Sequence, residues 1–190
     1  KALLWAGNLA YLQSDYSITG SLAQEALDIS RELGIEGKVG VAWALDLLGE
    51  LATEVGDYQT APGMFEEALT IYRELGDKRG IADMLMQLGW AAMREGDYQR
   101  ADTRLNECLV LFRELNAFVL LGFALAGLGE LAVRQRQFER ASDLLEKSLL
   151  LRRELGERWG IAASLGSLGW TAMLERDFNG MRERLGESLR

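Results

Sequence analysis

The apolar positions of this chain have helical spacing, and the pattern returns every forty residues. Leu85, Leu88, Gly89 and Ala92 stand at i, i+3, i+4 and i+7, which places them on one face of an α-helix. The forty-residue period is clearest in four glycines that each follow a leucine: Gly49, Gly89, Gly129 and Gly169. A strict period of this length predicts that one supersecondary unit is repeated along the chain.

A second helix follows the first within each repeat. Gly96 and Asp97 separate the two, because glycine suits the left-handed position after a helix and aspartate can cap the free N–H groups of the next one. The second helix is predicted from Tyr98 to about Leu115, ending at Asn116, where the sister repeats have glycine. Pro62 lies just beyond the first turn of its helix, so it should cost a hydrogen bond or shift the helix start.

The repeat resembles the tetratricopeptide repeat. We call the first helix of each repeat helix A and the second helix B. The resemblance rests on the Leu-Gly pair of helix A and on the Gly-Asp-Tyr turn that follows it. In helix B it rests on the early alanines, on Phe65 in the middle and on Ala68-Leu69 further on; the alanines are Ala61, Ala101 and Ala141. It implies an all-α fold, a right-handed superhelical solenoid of antiparallel helix pairs. A single array over 1–190 is expected, with five repeats, the last incomplete, at about 1–39, 40–79, 80–119, 120–159 and 160–190.

Longer stretches are similar to the repeat arrays of bacterial multidomain signalling ATPases. WAGNLAYLQSDY, EEALTIYRELGDKRGIADML and SLLLRRELGERWGIAASL resemble such arrays, including those of LuxR-type regulators related to the maltose-regulon activator. That resemblance implies a bacterial, cytoplasmic sensor or protein-contact region involved in signal transduction or transcription regulation. A likeness to kinesin light chain arrays is weaker. Because the sequence has no initiator methionine, we interpret it as part of a longer protein. It contains no GxxxxGK[ST] motif and no basic recognition helix, so the chain itself should neither hydrolyse ATP nor bind DNA.

Composition narrows the function further. A net charge of −8 disfavours direct binding to nucleic acid, which depends on clustered Lys and Arg. The chain has no histidine, which removes the commonest general base and several metal-site motifs. Cys108 is the single cysteine and occupies a small packing position, so we expect an inert side chain. No catalytic residue, cofactor or metal site is predicted.

Two segments are apolar enough to be compared with membrane-spanning or targeting signals. The apolar run from Ala117 to Gly129 ends at Glu130 and is shorter than the roughly 20 residues that span a bilayer. The start KALLWAGNLAYL could be read as a signal peptide, but the repeat pattern accounts for it better. No membrane contact is predicted.

The candidate site is the concave face lined by the first helix of each repeat, the helix A. One helical slot there alternates between glutamate and tryptophan: Glu50, Trp90, Glu130 and Trp170. Aromatic platforms next to carboxylates would suit a ligand that is partly apolar and partly cationic, such as an amphipathic or basic peptide or a partner domain. The predicted groove residues are Tyr11, Trp43, Asp46, Glu50, Asp83, Met86, Trp90, Met93, Arg94, Phe123, Glu130, Arg134, Trp170 and Met173.

The sequence leaves open several alternative roles for these groove residues. Trp90 and Trp170 could instead pack as core between neighbouring repeats, and Arg94 and Arg134 could hold a carboxylate or form a solvated rim. Asp46, Glu50 and Asp83 lack the turn-based oxygen cage of a metal site.

A small-molecule sensor is the second function class, with a sugar stacked on tryptophan. The sequence does not support the carboxylate-binding clamp of co-chaperone arrays, because Glu50 occupies a groove position where that clamp requires asparagine. The incomplete last repeat predicts self-association through the C-terminal end.

Overall fold

The structure, a computed structural model, describes residues 1–189, and its regular elements there are helical. The chain divides into two compact units, Lys1–Ala91 and Ala92–Arg190. None of the described helices is long and apolar enough to cross a membrane. The predicted all-α fold is confirmed, whereas the division into five repeats stays a prediction.

The first unit is formed by consecutive helices joined by short turns. They are α1 (Ala2–Leu12), α2 (Tyr16–Glu32), α3 (Lys38–Glu54), α4 (Ala61–Leu75) and the greater part of α5 (Lys78–Glu95). A 3₁₀ turn, Gly34–Gly37, occupies the loop that has two extra residues relative to the other repeats. Helix α3 packs against both α2 and α4.

The second unit contains the end of α5 and five further helices. They are α6 (Tyr98–Glu114), α7 (Phe118–Arg134), α8 (Phe138–Leu155), α9 (Arg158–Leu174) and α10 (Phe178–Ser188). Each helix from α6 to α9 packs against the next one, and α9 packs against α10. Because short turns join these helices, consecutive helices within each unit form the antiparallel pairs that the resemblance implies.

The predicted turn chemistry is confirmed. Gly96 has a φ of 81° and Asn116 a φ of 52°, both in the left-handed region. The Asp97 carboxylate caps α6 by accepting a hydrogen bond from the Arg100 backbone N–H at 3.0 Å. Arg136 adopts the same conformation with a φ of 60°, although a β-carbon disfavours it there.

Pro62 changes where its helix begins. By the forty-residue register, α4 should start at Tyr58, as α6 starts at Tyr98, yet it starts at Ala61 with the proline in its first turn. Proline is well placed there because its missing N–H would have had no helical partner. The predicted shift of the helix start is confirmed.

The recurring glycine of helix A lets two helices approach closely. A β-carbon on Gly49 would lie 2.5 Å from Cε1 of Phe65 on α4, and one on Gly129 would lie 2.7 Å from Cγ of Leu145 on α8. No real β-carbon makes contacts this short. The glycine therefore forms a notch for the large apolar side chain of the neighbouring helix, which fixes how the pair packs.

Candidate functional site

Three carboxylates on α3 and α5 lie close to one another in the first unit. Asp46 and Glu50 are one turn apart on α3, and Asp83 is on α5. The Gln87 amide nitrogen donates a hydrogen bond to Glu50 Oε1 at 3.1 Å, which joins α5 to α3. Arg79 Nε donates to Asp83 Oδ2 at 2.8 Å. We call Asp46, Glu50 and Asp83 the acidic cluster.

Burial raises the pKa of each carboxyl group in the acidic cluster. For Asp46 the pKa lies well above its usual value, first because of desolvation and then because of the charges of Glu50 and Asp83. Burial also raises the pKa of Glu50, with the Gln87 hydrogen bond partly offsetting it, and that of Asp83, with Arg79 partly offsetting it. Burial thus disfavours the ionised form of all three groups, and a positive charge placed beside them would stabilise that form.

Aromatic side chains lie beside these carboxylates. Trp43, one turn before Asp46, is partly buried and makes an edge-to-face contact with Trp5, with ring centroids 5.0 Å apart. Trp5 is itself 64% exposed. The Tyr11 hydroxyl points toward Glu54 Oε1 at 3.5 Å, and burial, followed by the charge of Glu50, raises the pKa of that hydroxyl. The surface thus combines anionic groups with ring faces, as a cationic ligand requires.

The second unit contains an open cavity of about 510 Å³ between α7, α8 and α9. Glu130 and Arg134 of α7 form one wall, and they pair with each other at 2.8 Å. Leu145 of α8 and the small residues of α9, Ala163 and Gly166, form apolar parts of the lining. Trp170, also of α9, completes it with an indole that is 56% exposed.

A buried guanidinium lies in the second unit. Arg152 of α8 is only 2% exposed, and its guanidinium carbon lies 4.4 Å from the centroid of the Phe123 ring. Its Nε donates to Ser148 Oγ at 3.1 Å, while Nη1 lies 3.4 Å from Glu157 Oε2 without making a hydrogen bond. Burial lowers the pKa of Arg152, and Glu157 acts in the opposite direction.

The structure corrects one predicted groove residue. Met93 is 2% exposed, so its side chain belongs to the core and is not accessible to a ligand. Helical spacing alone gives the direction of a side chain, and packing against other residues covers that of Met93.

The other candidates range from partly buried to exposed. Arg94 is exposed. Partly buried positions are Tyr11, Trp43, Asp46, Glu50, Asp83, Met86, Trp90, Phe123, Glu130 and Met173. Arg134 forms the ion pair with Glu130 described above, and Trp170 is the most exposed groove tryptophan.

Several residues at these surfaces were not predicted from the sequence. Gln87 and Trp5 contact predicted residues across helices, and such pairs are invisible in a single sequence. Arg152 did leave a signal, because it replaces the aromatic residue found at the equivalent positions Tyr72 and Phe112. Trp159 is 70% exposed, and its ring centroid lies 6.2 Å from that of Phe123.

The raised pKa values predict an unusual pH dependence of stability. A carboxyl group whose pKa is higher in the folded than in the unfolded protein binds more protons when folded, so stability falls as pH rises from the unfolded value, near 4, through the folded one. We expect urea denaturation to give a lower free energy of unfolding at pH 8 than at pH 5. Asp46→Asn should make that difference much smaller, and an unchanged difference would contradict the role of the acidic cluster.

Comparison with known protein families supports the helical-repeat fold. The chain is a scaffold of helical repeats, and two tetratricopeptide-repeat family models match it, one over residues 1–74 and another over residues 124–158. Together these matches cover more than half of the chain. The chain belongs to the tetratricopeptide-repeat family. No curated protein matches the sequence.

Solved structures with the same fold come from several kinds of protein. BtubC (BKLC) from P. vanneervenii is 22% identical with a TM-score of 0.82, and the alignment covers 97% of this chain and 76% of that one. A Rap protein complexed with Competence and Sporulation Factor is 14% identical with a TM-score of 0.84, covering 98% of this chain and 52% of that one. The STAND ATPase with a tetratricopeptide repeat sensor from Pyrococcus horikoshii is 12% identical with a TM-score of 0.79, covering 97% of this chain and 28% of that one.

These likenesses identify the fold, and the fold is that of an interaction scaffold. Within residues 1–189 no group of three or more His, Cys, Asp or Glu side chains is arranged to hold a metal ion. The two surfaces carry carboxylates, aromatic rings and the ion pairs Arg79–Asp83 and Glu130–Arg134.

Proposed function

We propose that this chain is a non-catalytic regulatory module that binds a basic peptide, or a basic segment of a partner domain, on the acidic cluster of the first unit. The observation on which the proposal rests is the concentration of three desolvated carboxylates, Asp46, Glu50 and Asp83, beside the Trp5–Trp43 pair. A lysine or arginine side chain placed there would favour the ionised form of carboxyl groups that burial disfavours.

The neighbouring aromatic surface indicates that the partner also has apolar residues. Trp5 presents an exposed ring, and fully burying a tryptophan covers about 150–250 Å². Because Trp5 is 64% exposed, about two thirds of this area is left to bury, which at about 25 cal/mol per Å² corresponds to roughly 2.5–4 kcal/mol before the costs of association are subtracted. An amphipathic basic segment satisfies both the carboxylates and the rings, whereas a purely polar cation would use only the carboxylates.

The cellular context that we propose is an analogy with two structural relatives. One structural relative contains a tetratricopeptide repeat sensor next to a signalling ATPase, and another is a Rap protein crystallised with Competence and Sporulation Factor. By analogy we infer that this chain is a cytoplasmic part of a larger bacterial signalling or transcription-regulatory protein and is itself without enzymatic activity. It is not expected to bind nucleic acid, given its net charge of −8.

A pair of synthetic peptides tests the proposed partner chemistry. A fluorescein-labelled helical peptide of leucine and lysine should bind, whereas the same peptide with glutamate in place of lysine should not, as measured by fluorescence anisotropy. The Asp46→Asn, Glu50→Gln double variant should weaken binding of the basic peptide by about tenfold or more, because it removes two carboxyl groups that would pair in their ionised form with the lysine side chains. Added salt should weaken it further.

The control substitution removes a similar charge elsewhere in the same unit. Glu25 is an exposed carboxylate on α2, so Glu25→Gln changes net charge with little effect on the acidic cluster. Equal weakening by Glu25→Gln would mean that the peptide responds only to overall charge and would contradict the proposal. Binding of the glutamate peptide would contradict it as well, and so would tight binding of a malto-oligosaccharide that competes with the lysine peptide.

A further inference from the structure

The cavity of the second unit arises from small residues at two positions of α9. At the position of Ala163, the equivalent residues of the other helices are Trp43, Asp83 and Phe123, and at that of Gly166 they are Asp46, Met86 and Ala126. A β-carbon added at Gly166 would meet no atom within 4 Å. The cavity is therefore a feature of this sequence rather than a general consequence of the repeat.

The lining has an apolar part and a part with two opposite charges. Val133 of α7 and the indole of Trp170 present apolar surface, and Glu130 and Arg134 offer one acceptor and one donor group. The side chains of this ion pair are 43% and 44% exposed, so the pair contributes little to stability and can rearrange around a ligand at low cost. A volume of about 510 Å³ is within the range of small-molecule sites.

We propose that this cavity binds an α-amino acid with an apolar side chain, either free or as the first residue of a peptide. Such a ligand has an ammonium group for Glu130, a carboxylate or carbonyl oxygen for Arg134, and a side chain for the apolar surface of Val133 and Trp170. A sugar could stack on Trp170 but has no charged group for either Glu130 or Arg134, and a simple cation or anion would satisfy only one member of the ion pair.

This inference goes beyond the peptide-binding proposal and does not depend on it. The acidic cluster lies on α3 and α5 in the first unit, whereas the cavity is formed by α7, α8 and α9 in the second. No residue is shared between them, so either site can be present without the other. The experiments for the two sites therefore give separate answers.

Isothermal titration calorimetry of the full chain tests the proposal. L-leucine and L-phenylalanine should bind, and N-acetyl-L-leucine amide, which has neither charge, should bind at least about tenfold more weakly because it leaves the ion pair unmatched. The dipeptide Leu-Gly distinguishes the two sources. Affinity similar to that of leucine supports the first residue of a peptide, and much weaker binding than leucine supports the free amino acid.

Gly166→Met fills the cavity and should weaken binding of L-leucine by at least about tenfold. The variant should remain folded, because residue 166 is inside a helix and its β-carbon meets no neighbour. Gly63→Met is the matched control, since Gly63 is also helical, also has open space at its β-carbon and lies in the first unit. Glu130→Gln should reduce affinity for L-leucine more than affinity for its acetylated amide.

Three results would overturn the proposal. One is the absence of heat with both amino acids at millimolar concentration. Another is equal affinity for L-leucine and its blocked amide. The third is unchanged affinity in Gly166→Met, with urea denaturation showing that the variant is folded.

Discussion

Phe65→Ala is expected to lower the free energy of unfolding by about 3–5 kcal/mol. Phe65 is 2% exposed and its ring lies against the notch left by Gly49, with no β-carbon opposite it. Removing the ring therefore leaves a cavity that α3 has no side chain at this position to fill. Urea denaturation followed by circular dichroism measures the loss.

Phe65→Leu is the matched control for this cavity. Leucine occupies the equivalent position in other repeats, as Leu105 and Leu145, and Leu145 faces the corresponding notch at Gly129. The fold is therefore known to accept leucine against this glycine, and the cost should be only about 1 kcal/mol. Equal losses for alanine and leucine would contradict the cavity explanation and would indicate that the ring itself, rather than its volume, stabilises the pair.

The helices could be predicted from the sequence because local chemistry decides most of them. Gly96, with its left-handed backbone, and Asp97, which caps α6, determine the turn between α5 and α6. Asn116, whose backbone is also left-handed, determines the turn between α6 and α7. The delayed start of α4 followed from Pro62 because proline restricts the backbone whatever surrounds it. Each of these decisions involves residues near one another in the chain.

The candidate surfaces were only partly predictable, because they depend on which side chains meet across helices. A stripe at helical spacing correctly placed Trp170 at the surface, but it also included Met93, which is in the core. Spacing along one helix gives the direction of a side chain and not what neighbouring helices cover. The desolvation of Asp46 and the open space at Gly166 are likewise results of packing between helices.

Arg152→Met combined with Glu157→Gln, which removes both charges of the pair, is expected to leave the free energy of unfolding unchanged or to raise it by about 1–4 kcal/mol, the range found when buried ion pairs are replaced by uncharged groups of similar size. The guanidinium is buried with Nη1 lacking a hydrogen bond, so its desolvation is only partly compensated. Loss of the guanidinium does not leave Ser148 without a hydrogen bond, because the Ser148 hydroxyl still donates to the Gly122 carbonyl oxygen at 2.9 Å. The Glu157 Oε2 atom that faces Arg152 is buried without a hydrogen-bond partner, so Glu157→Gln is needed to avoid leaving an unpaired buried charge.

Arg152→Ala, also combined with Glu157→Gln, should behave in the opposite way and lower the free energy of unfolding by about 2–5 kcal/mol. The long side chain fills the space beside Gly122 and Gly160, and a β-carbon on Gly160 would lie far inside contact distance of Arg152 Nη1. Alanine leaves that space empty, whereas methionine fills most of it with a flexible apolar chain. If urea denaturation gives equal losses for methionine and alanine, the charge of Arg152 stabilises this core despite its burial. If only alanine is destabilising, the volume of Arg152 holds α7, α8 and α9 together.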